Sequence, residues 1–579
     1  MKPSRGGGEA RLLDGGERTA GARRRFLACF AGTGLSATLL PGALWARWQE
    51  AGTDRVTLAM LREAVHIAGL DFTEDEQRTM LRAVNRNLRR ADELHQVPLA
   101  NSVPSPTHFD PRVPGAYREA VPGRMRATSP GRVRRPARLE EAAFWPLTHL
   151  AALVRTRQVS AVELLEMYLG RIERYEPKLN CVVTLTLERA REQARRLDRE
   201  LSAGRYRGPL HGLPWGAKDI IAARGYPTTW GAAPFQTQVF DEDATVVKRL
   251  DEAGAVLLAK LSTGELAFGD QWFRGRTNSP WNPEEGSSGS SAGSAAATAA
   301  GLVAFALGTD TGGSILAPSI RCGVAGLRPT FGRVSRTGVM AAGWTLDKVG
   351  PMGRTAEDCA LVLHAIAGPD GQDLAVHEGA PFHWEAAQPV APARVGYVAA
   401  MLEAEQDPAF RANTGRALES LRAAGCELRP IELPRSDLCY YIEYVERAAG
   451  FDDFTRERRD AGLRNERHRG DLRAFHLVSA VDYLQANRVR TLLMQDYARI
   501  TADLDVVFGG RATLDPATSL NPVTSLTGHP VVALRSGFSA AGTPTGVTLA
   551  GRLYDEGRLL AVARVVERSV ASERRPVLD

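Results

Sequence analysis

The stretch 284–315, EEGSSGSSAGSAAATAAGLVAFALGTDTGGSI, decides how the rest of the chain is read. Its Gly/Ser content suggests a flexible linker, yet a linker is polar throughout, and this tract carries Ala295–Ala300 and then LVAFAL at 302–307, which seek burial. An alanine-rich helix over 293–300 rises about 12 Å at 1.5 Å per residue. Gly301 can end it in a left-handed turn, and 303–307 can return as a strand at about 3.3 Å per residue. Out and back, the serine cluster near Ser290 meets the TDTGGS turn that ends at Ser314. A single helix over 293–310 would instead hold Ser290 and Ser314 roughly 30 Å apart, too far for joint chemistry.

The turn has chemistry suited to such a meeting. At Thr311, Gly312 and Gly313 the backbone can curl so that successive N–H groups converge, because glycine lacks the Cβ that would block close approach. Convergent N–H groups are what an oxyanion needs. Ser314 closes this nest, placed to attack a carbonyl whose oxygen sits in it, but a serine hydroxyl is a weak nucleophile without a base. Upstream, RGPLHGLPWGAKDIIAARGYPTTWGA (207–232) offers Lys218. An ordinary lysine keeps its proton to about pH 10, so it becomes a base near neutrality only where burial lowers it by roughly three pH units, about 4 kcal/mol.

At 579 residues the chain exceeds one ordinary compact domain. Its net charge of +6 is concentrated at the start, where residues 1–25 hold seven Lys/Arg against three Asp/Glu. No zinc, RNA-recognition or basic-stripe pattern accompanies it, which argues against a nucleic-acid partner. The six cysteines, Cys29, Cys181, Cys322, Cys359, Cys426 and Cys439, form no CxxC pair and read as packing residues. No metal or cofactor is expected.

ARRRFLACFAGTGLSATLLPGALWARW (22–48) places Arg23, Arg24 and Arg25 before Phe26-Leu27 and a moderately apolar run, and it resembles a twin-arginine export signal. Export to the periplasm or cell envelope is expected, with an uncleaved membrane anchor as the competing reading and a cytoplasmic location if neither holds. Residues 1–46 are assigned to this segment, 47–137 to a helical hairpin and a Pro/Arg-rich strap, and 138–579 to the catalytic domain. The hairpin's second helix opens on a capping box, Thr73-x-x-Glu76, and another, Ser160-x-x-Glu163, opens a helix in the catalytic domain. Beyond it, short apolar runs at 255–259, 303–307, 531–534 and 547–549 alternate with helical patterns at 186–203, 410–424 and 557–570. That alternation predicts an α/β sandwich around a mixed sheet.

Seven blocks now fall in order: GPLHGLPWGAKD (208–219), TTWGA (228–232), SGSSAGSAAATAAG (288–301), LGTDTGGSI (307–315), CGVAGLRPTFGRVSRTG (322–338), LDKVGPMGRTAEDCA (346–360) and SLTGHPVVALRSGFSAAGTPTGVTLAGRLYDEGRLLAVA (525–563). From about 140 to 570 the chain resembles the amidase signature family of serine amidohydrolases. The resemblance implies the amidase-signature fold, a central mixed β-sheet covered by helices on both faces, and a Ser–cis-Ser–Lys triad. By position the nucleophile is Ser314, the bridging serine on an unusual cis peptide is Ser290, and the base is Lys218. The oxyanion nest falls on Thr311, Gly312, Gly313 and the Ser314 N–H, and Ser291 supports the network. Segment 55–137, through LREAVHIAGLDFTEDE (61–76), loosely resembles the small C component that accompanies the A component of glutamine-dependent tRNA amidotransferases.

The family usually carries Arg directly after the isoleucine that follows the nucleophile, and here Leu316 stands there. If Leu316 lines the pocket, no guanidinium is available for a substrate carboxylate and a neutral small amide is expected. Asp310 then needs another partner, for which Arg321 is the candidate. Asp453 and Asp515 are weaker candidates for substrate contact. The competing readings are an amidotransferase-like glutamine amidase working with partners, a non-catalytic scaffold, and an α/β-hydrolase-type esterase using Ser291 of Gly289-x-Ser291-x-Gly293. The last wants an apolar strand before the serine but follows the polar TNSPWNPEEGSS (277–288).

Overall fold

The computed structural model describes residues 55–67, 70–94, 101, 103, 107–119, 124–379, 381–570 and 574–578. The twin-arginine-like stretch lies outside them. The chain divides into two compact units, Met1–Leu99 and Ala100–Asp579. In the first, α1 (Leu58–Ile67) and α2 (Glu74–Leu94) form the hairpin. The Glu76 carboxylate accepts from the Thr73 N–H at 2.7 Å while the Thr73 hydroxyl accepts from the Glu76 N–H at 3.4 Å, the capping box read from the sequence. Asn85 closes the hairpin by exchanging two 3.0 Å hydrogen bonds with the Val56 backbone.

The second unit is built on an eleven-stranded sheet. Its strands are β1 (Val182–Leu185), β2 (Pro214–Lys218), β3 (Val256–Leu261), β4 (Phe305–Asp310), β5 (Ala325–Arg328), β6 (Lys348–Gly353), β7 (Arg394–Val398), β8 (Glu427–Ile431), β9 (Val506–Gly509), β10 (Val531–Phe538) and β11 (Pro544–Gly551). Across the sheet they run β8-β7-β9-β11-β10-β5-β6-β4-β2-β3-β1. β4, β2 and β3 are parallel, whereas β6 pairs with β4 antiparallel, so the sheet is mixed. Helices α3 (Ala161–Leu179), α4 (Leu187–Ser202), α5 (Ala292–Ala299), α6 (Leu316–Cys322), α7 (Ala356–Ile366), α8 (Pro408–Ala423), α12 (Leu520–Thr527) and α13 (Glu556–Ser569) pack on the sheet, and α9 (Tyr441–Gly450), α10 (Glu466–Ala474) and α11 (Ala480–Thr501) pack on other helices. Among the described residues no helix is long and apolar enough to cross a membrane.

The opening tract folds out and back. Alanine supplies α5 with helix propensity at no side-chain entropy and lets it lie in the core, with every residue from Ala292 to Thr298 buried. Gly301 takes φ +67°, and β4 returns with all six residues buried. Only glycine fits at 308, since a Cβ there would stand 2.7 Å from Ser291 Oγ. The strand lies inside the sheet between β6 and β2, and Phe305 stacks on its β2 partner Trp215 with centroids 6.0 Å apart. Strand ends differ by a few residues from the sequence patterns, because polar Thr309 and Asp310 extend β4 beyond its apolar run.

The described strap residues group with the second unit. Asn101 holds the strap by donating to the carbonyls of Ala341 and Gly450 at 3.0 and 3.1 Å and accepting from the Ala341 N–H at 2.7 Å. Phe109 lies edge-on to Phe331 and under the Arg490 guanidinium. The five described cysteines are buried and free, and Cys29 lies outside the described residues.

Candidate active site

The parallel pairing of β2 with β4 sets the carboxyl end of one beside that of the other, and Lys218 is the last residue of β2. It is fully buried. Its Nζ donates to Ser290 Oγ at 2.7 Å, to Thr309 Oγ1 at 2.8 Å and, more weakly, to the Thr309 carbonyl at 3.4 Å. No carboxylate is among these partners. Burial therefore pushes the ammonium down to about 7, with Asp310 and Asp347 opposing it from a distance. Lys260 on β3 makes the contrast: equally buried, it pairs with Asp219 at 2.7 Å, and Asp219 also accepts from the Thr229 N–H at 2.9 Å. That second lysine is held by charge; the first is held by hydroxyls.

Ser290 precedes α5 on a cis peptide from Gly289 and is 1% exposed. Ser291 exchanges hydrogen bonds with the Thr309 backbone, its Oγ donating to the carbonyl at 3.1 Å and accepting from the N–H at 3.2 Å. Its own N–H donates to the Ser314 carbonyl at 3.0 Å, which ties the two arms together. The elbow reading fares poorly here, because the Ser291 hydroxyl is committed to backbone and no described histidine hydrogen-bonds to it. Ser314 is partly exposed, and its hydroxyl has no hydrogen-bond partner among the described residues.

Asp310 organises the turn that carries Ser314. Its Oδ1 accepts from the Gly313 N–H at 2.8 Å and its Oδ2 from the Ile315 N–H at 2.7 Å. Burial alone would raise this carboxyl, but Arg328, Lys348 and the two N–H groups hold it below its ordinary range. The Gly312 and Ser314 N–H groups have no partner among the described residues, whereas that of Gly313 is turned onto Asp310. Asn521 braces the outside of the turn, donating to the Gly312 carbonyl at 2.8 Å, and Ser525 donates to the Thr311 carbonyl.

Two expectations need correction. The ion partner of Asp310 is Arg328, 3.0 Å away with both side chains fully buried. Arg321 pairs instead with Glu285. Arg328 ends β5, which faces β4 across β6, so it arrives from the sheet, while Arg321 points off α6. Leu316 is fully buried in the main core and does not line the site, which removes it as the basis for a substrate preference. Asp453 is exposed, and Asp515 caps its own turn through the Ala517 N–H and Thr518 hydroxyl.

The model of the amidase family matches residues 163–560, which include Lys218, Ser290 and Ser314. The chain belongs to the amidase signature family. This amidase-signature chain is 37% identical over 463 residues to the A component of the glutamyl-tRNA(Gln) amidotransferase of Methylococcus capsulatus, covering 72% of the chain and 95% of the relative. In structure it resembles the peptide amidase from Stenotrophomonas maltophilia, with TM-score 0.68, 29% identity and coverage of 76% of this chain and 100% of that one. It also resembles 6-aminohexanoate cyclic dimer hydrolase, with TM-score 0.65, 25% identity and coverage of 75% and 99%. It is an amide-hydrolysing enzyme.

The amidase site holds residues that the sequence did not single out. Thr309 lay unread inside the TDTGGS turn, and Arg328 inside CGVAGLRPTFG. Glu443 and Arg447 on α9 form an i,i+4 ion pair at 2.8 Å, a spacing that on sequence reads as an ordinary solvated helix face.

Proposed function

We propose that the enzyme cleaves a carboxylic amide through an acyl-enzyme on Ser314, with Ser290 passing protons between Ser314 and Lys218. The observation that carries this reading is the 2.7 Å contact between Lys218 Nζ and Ser290 Oγ, made by a fully buried lysine with no carboxylate partner. With Lys218 neutral, the same contact reverses and the Ser290 O–H donates to the amine lone pair. Ser314 Oγ attacks the carbonyl carbon, gives its proton to Ser290, and Ser290 gives its own to Lys218. The oxyanion is received by the free N–H groups of Gly312 and Ser314 in the nest that Thr311 and Gly313 shape. Collapse breaks the C–N bond as the proton returns through Ser290 to the leaving amine. Water then releases the acid by the same relay. Ser314 Oγ closes on Ser290 once substrate is bound, as catalytic hydrogen bonds tighten in the Michaelis complex.

Ser314→Ala and Lys218→Ala are each expected to lower kcat by at least roughly 10³-fold, and Ser290→Ala by nearly as much, since members of one relay do not add. A Lys218→Ala enzyme with near wild-type kcat refutes the assignment. The names of the amidotransferase relatives favour a second reading, a glutamine amidase that passes ammonia to partner proteins. Rapid hydrolysis of simple amides by the isolated chain, with glutamine a poor substrate, decides against it. Export through the arginine-led stretch 22–48 belongs to the same proposal, and fractionation of cells making the full chain checks it.

A further inference from the structure

Among the described residues, the carboxylates around the nest are all occupied but one. Asp310 accepts from Arg328 and from turn N–H groups. Asp347 receives the Thr311 hydroxyl at 2.6 Å on one oxygen and the Ala342 and Gly343 N–H groups at 2.7 and 3.0 Å on the other. Glu446 is taken up by the Thr345 N–H and hydroxyl and by the Tyr483 hydroxyl. Glu443, one turn earlier on α9, differs. Its Oε1 accepts from Arg447 at 2.8 Å, and Arg447 is itself buried and fixed by donating to the Leu266 carbonyl at 2.8 Å. Its Oε2 has no hydrogen-bond partner among the described residues, and its side chain stays 25% exposed.

That free oxygen lies close to the backbone of the nest. A Cβ built on Gly312 would lie 3.3 Å from Glu443 Oε2, so the acceptor stands within one side chain's thickness of the backbone that receives the scissile carbonyl oxygen. We infer that Glu443 is a specificity-determining residue that binds a nitrogen donor on the acyl part of the substrate, one or two atoms from the scissile carbonyl. The substrate class is then amides of α-amino acids, whose nitrogen occupies that position. The carboxylate is held from behind by Arg447, so its orientation is set before substrate arrives, which is the condition for a polar contact to discriminate. An acidic acyl group would meet the same carboxylate and be disfavoured. The neutral-over-acidic preference thus rests on Glu443 in place of Leu316.

The inference rests on the amidohydrolase reading above, and the test separates the two. The readout is the ratio of kcat/KM for alaninamide to that for propionamide, which differ only in the α-nitrogen, measured at pH 8 in wild type and in Glu443→Gln. Glutamine keeps an oxygen for Arg447 and removes the carboxylate charge. The ratio is expected to fall at least fivefold. A smaller fall, including an equal loss on both amides, overturns the proposal. If Glu443→Gln does not fold by circular dichroism, Glu443→Asp, which withdraws the carboxylate by one methylene, is read against the same fivefold threshold. If the wild type hydrolyses neither amide and Ser314 is not acylated, the amidohydrolase reading fails and this proposal falls with it. Turnover of both amides with an unchanged ratio condemns the role of Glu443 alone.

Discussion

Lys218 and Lys260 stand on adjacent parallel strands and burial lowers both, but only Lys260 has a carboxylate in direct contact, Asp219, to oppose the shift. With Lys218 lowered to about 7 by burial, kcat/KM is expected to climb nearly tenfold per pH unit below about pH 7 and to level above it, as the amine loses its proton. A profile flat from pH 5 to 8 contradicts a lysine base. The same shift sets a stability effect of definite sign. Between about 7 and the ordinary 10.5 the unfolded chain holds a proton that the folded one releases, so the contribution of Lys218 to stability rises with pH across that window. Below it both states are protonated and the penalty is constant at its largest. The stability gained by Lys218→Met over wild type, from urea unfolding, should therefore be greater at pH 7 than at pH 10. An equal difference at both pH values argues against the lowered amine.

The turn from β4 into α6 is held by one carboxylate and one guanidinium. Arg328→Met leaves Asp310 buried without its ion partner, and removing one member of a buried pair costs about 3–5 kcal/mol. Lower thermal stability is expected, with kcat reduced because Asp310 also holds the Gly313 and Ile315 N–H groups. An unchanged melting temperature would show that Lys348 compensates. This element also shows what was legible in the sequence. The helix read over 293–300 and seen over Ala292–Ala299, its glycine stop and the returning strand could be read because each depends on residues a few positions apart. So could the Ser160–Glu163 capping box, seen here with hydrogen bonds of 2.9 and 3.0 Å. The roles proposed for Ser314, Ser290 and Lys218 came from the family blocks around them, and of these three the structure joins Lys218 to Ser290 by a hydrogen bond. Arg328 was invisible as the partner of Asp310 because β5 reaches β4 only through an intervening strand. Glu443 was invisible because 130 residues of chain separate it from Gly312, and nothing local records which face of α9 meets the nest.

At the scale of the whole molecule, sheet and site lie within the second unit. A chain of residues 100–579 is expected to fold and to hydrolyse the same amides as the full protein. Starting at 138 removes Asn101 and Phe109 from beneath their partners, and this shorter chain should melt below the longer one; equal melting temperatures would make the strap dispensable. The relay needs protons alone, so prolonged chelation should leave turnover unchanged, and a loss restored by a divalent ion would count against it. The burial of the cysteines gives the molecule a further property. Cys322 is pushed up to about 12 and Cys439 to about 11 by burial, and Cys181 and Cys359 are raised well above the ordinary thiol range, so these sulfurs stay protonated and shielded from alkylating reagents. With Cys29 changed to serine, Ser314→Cys would introduce the most accessible thiol among the described residues. A fluorophore or spin label could then be attached at the position proposed for the nucleophile, turning the variant into a reporter of which amides enter the site.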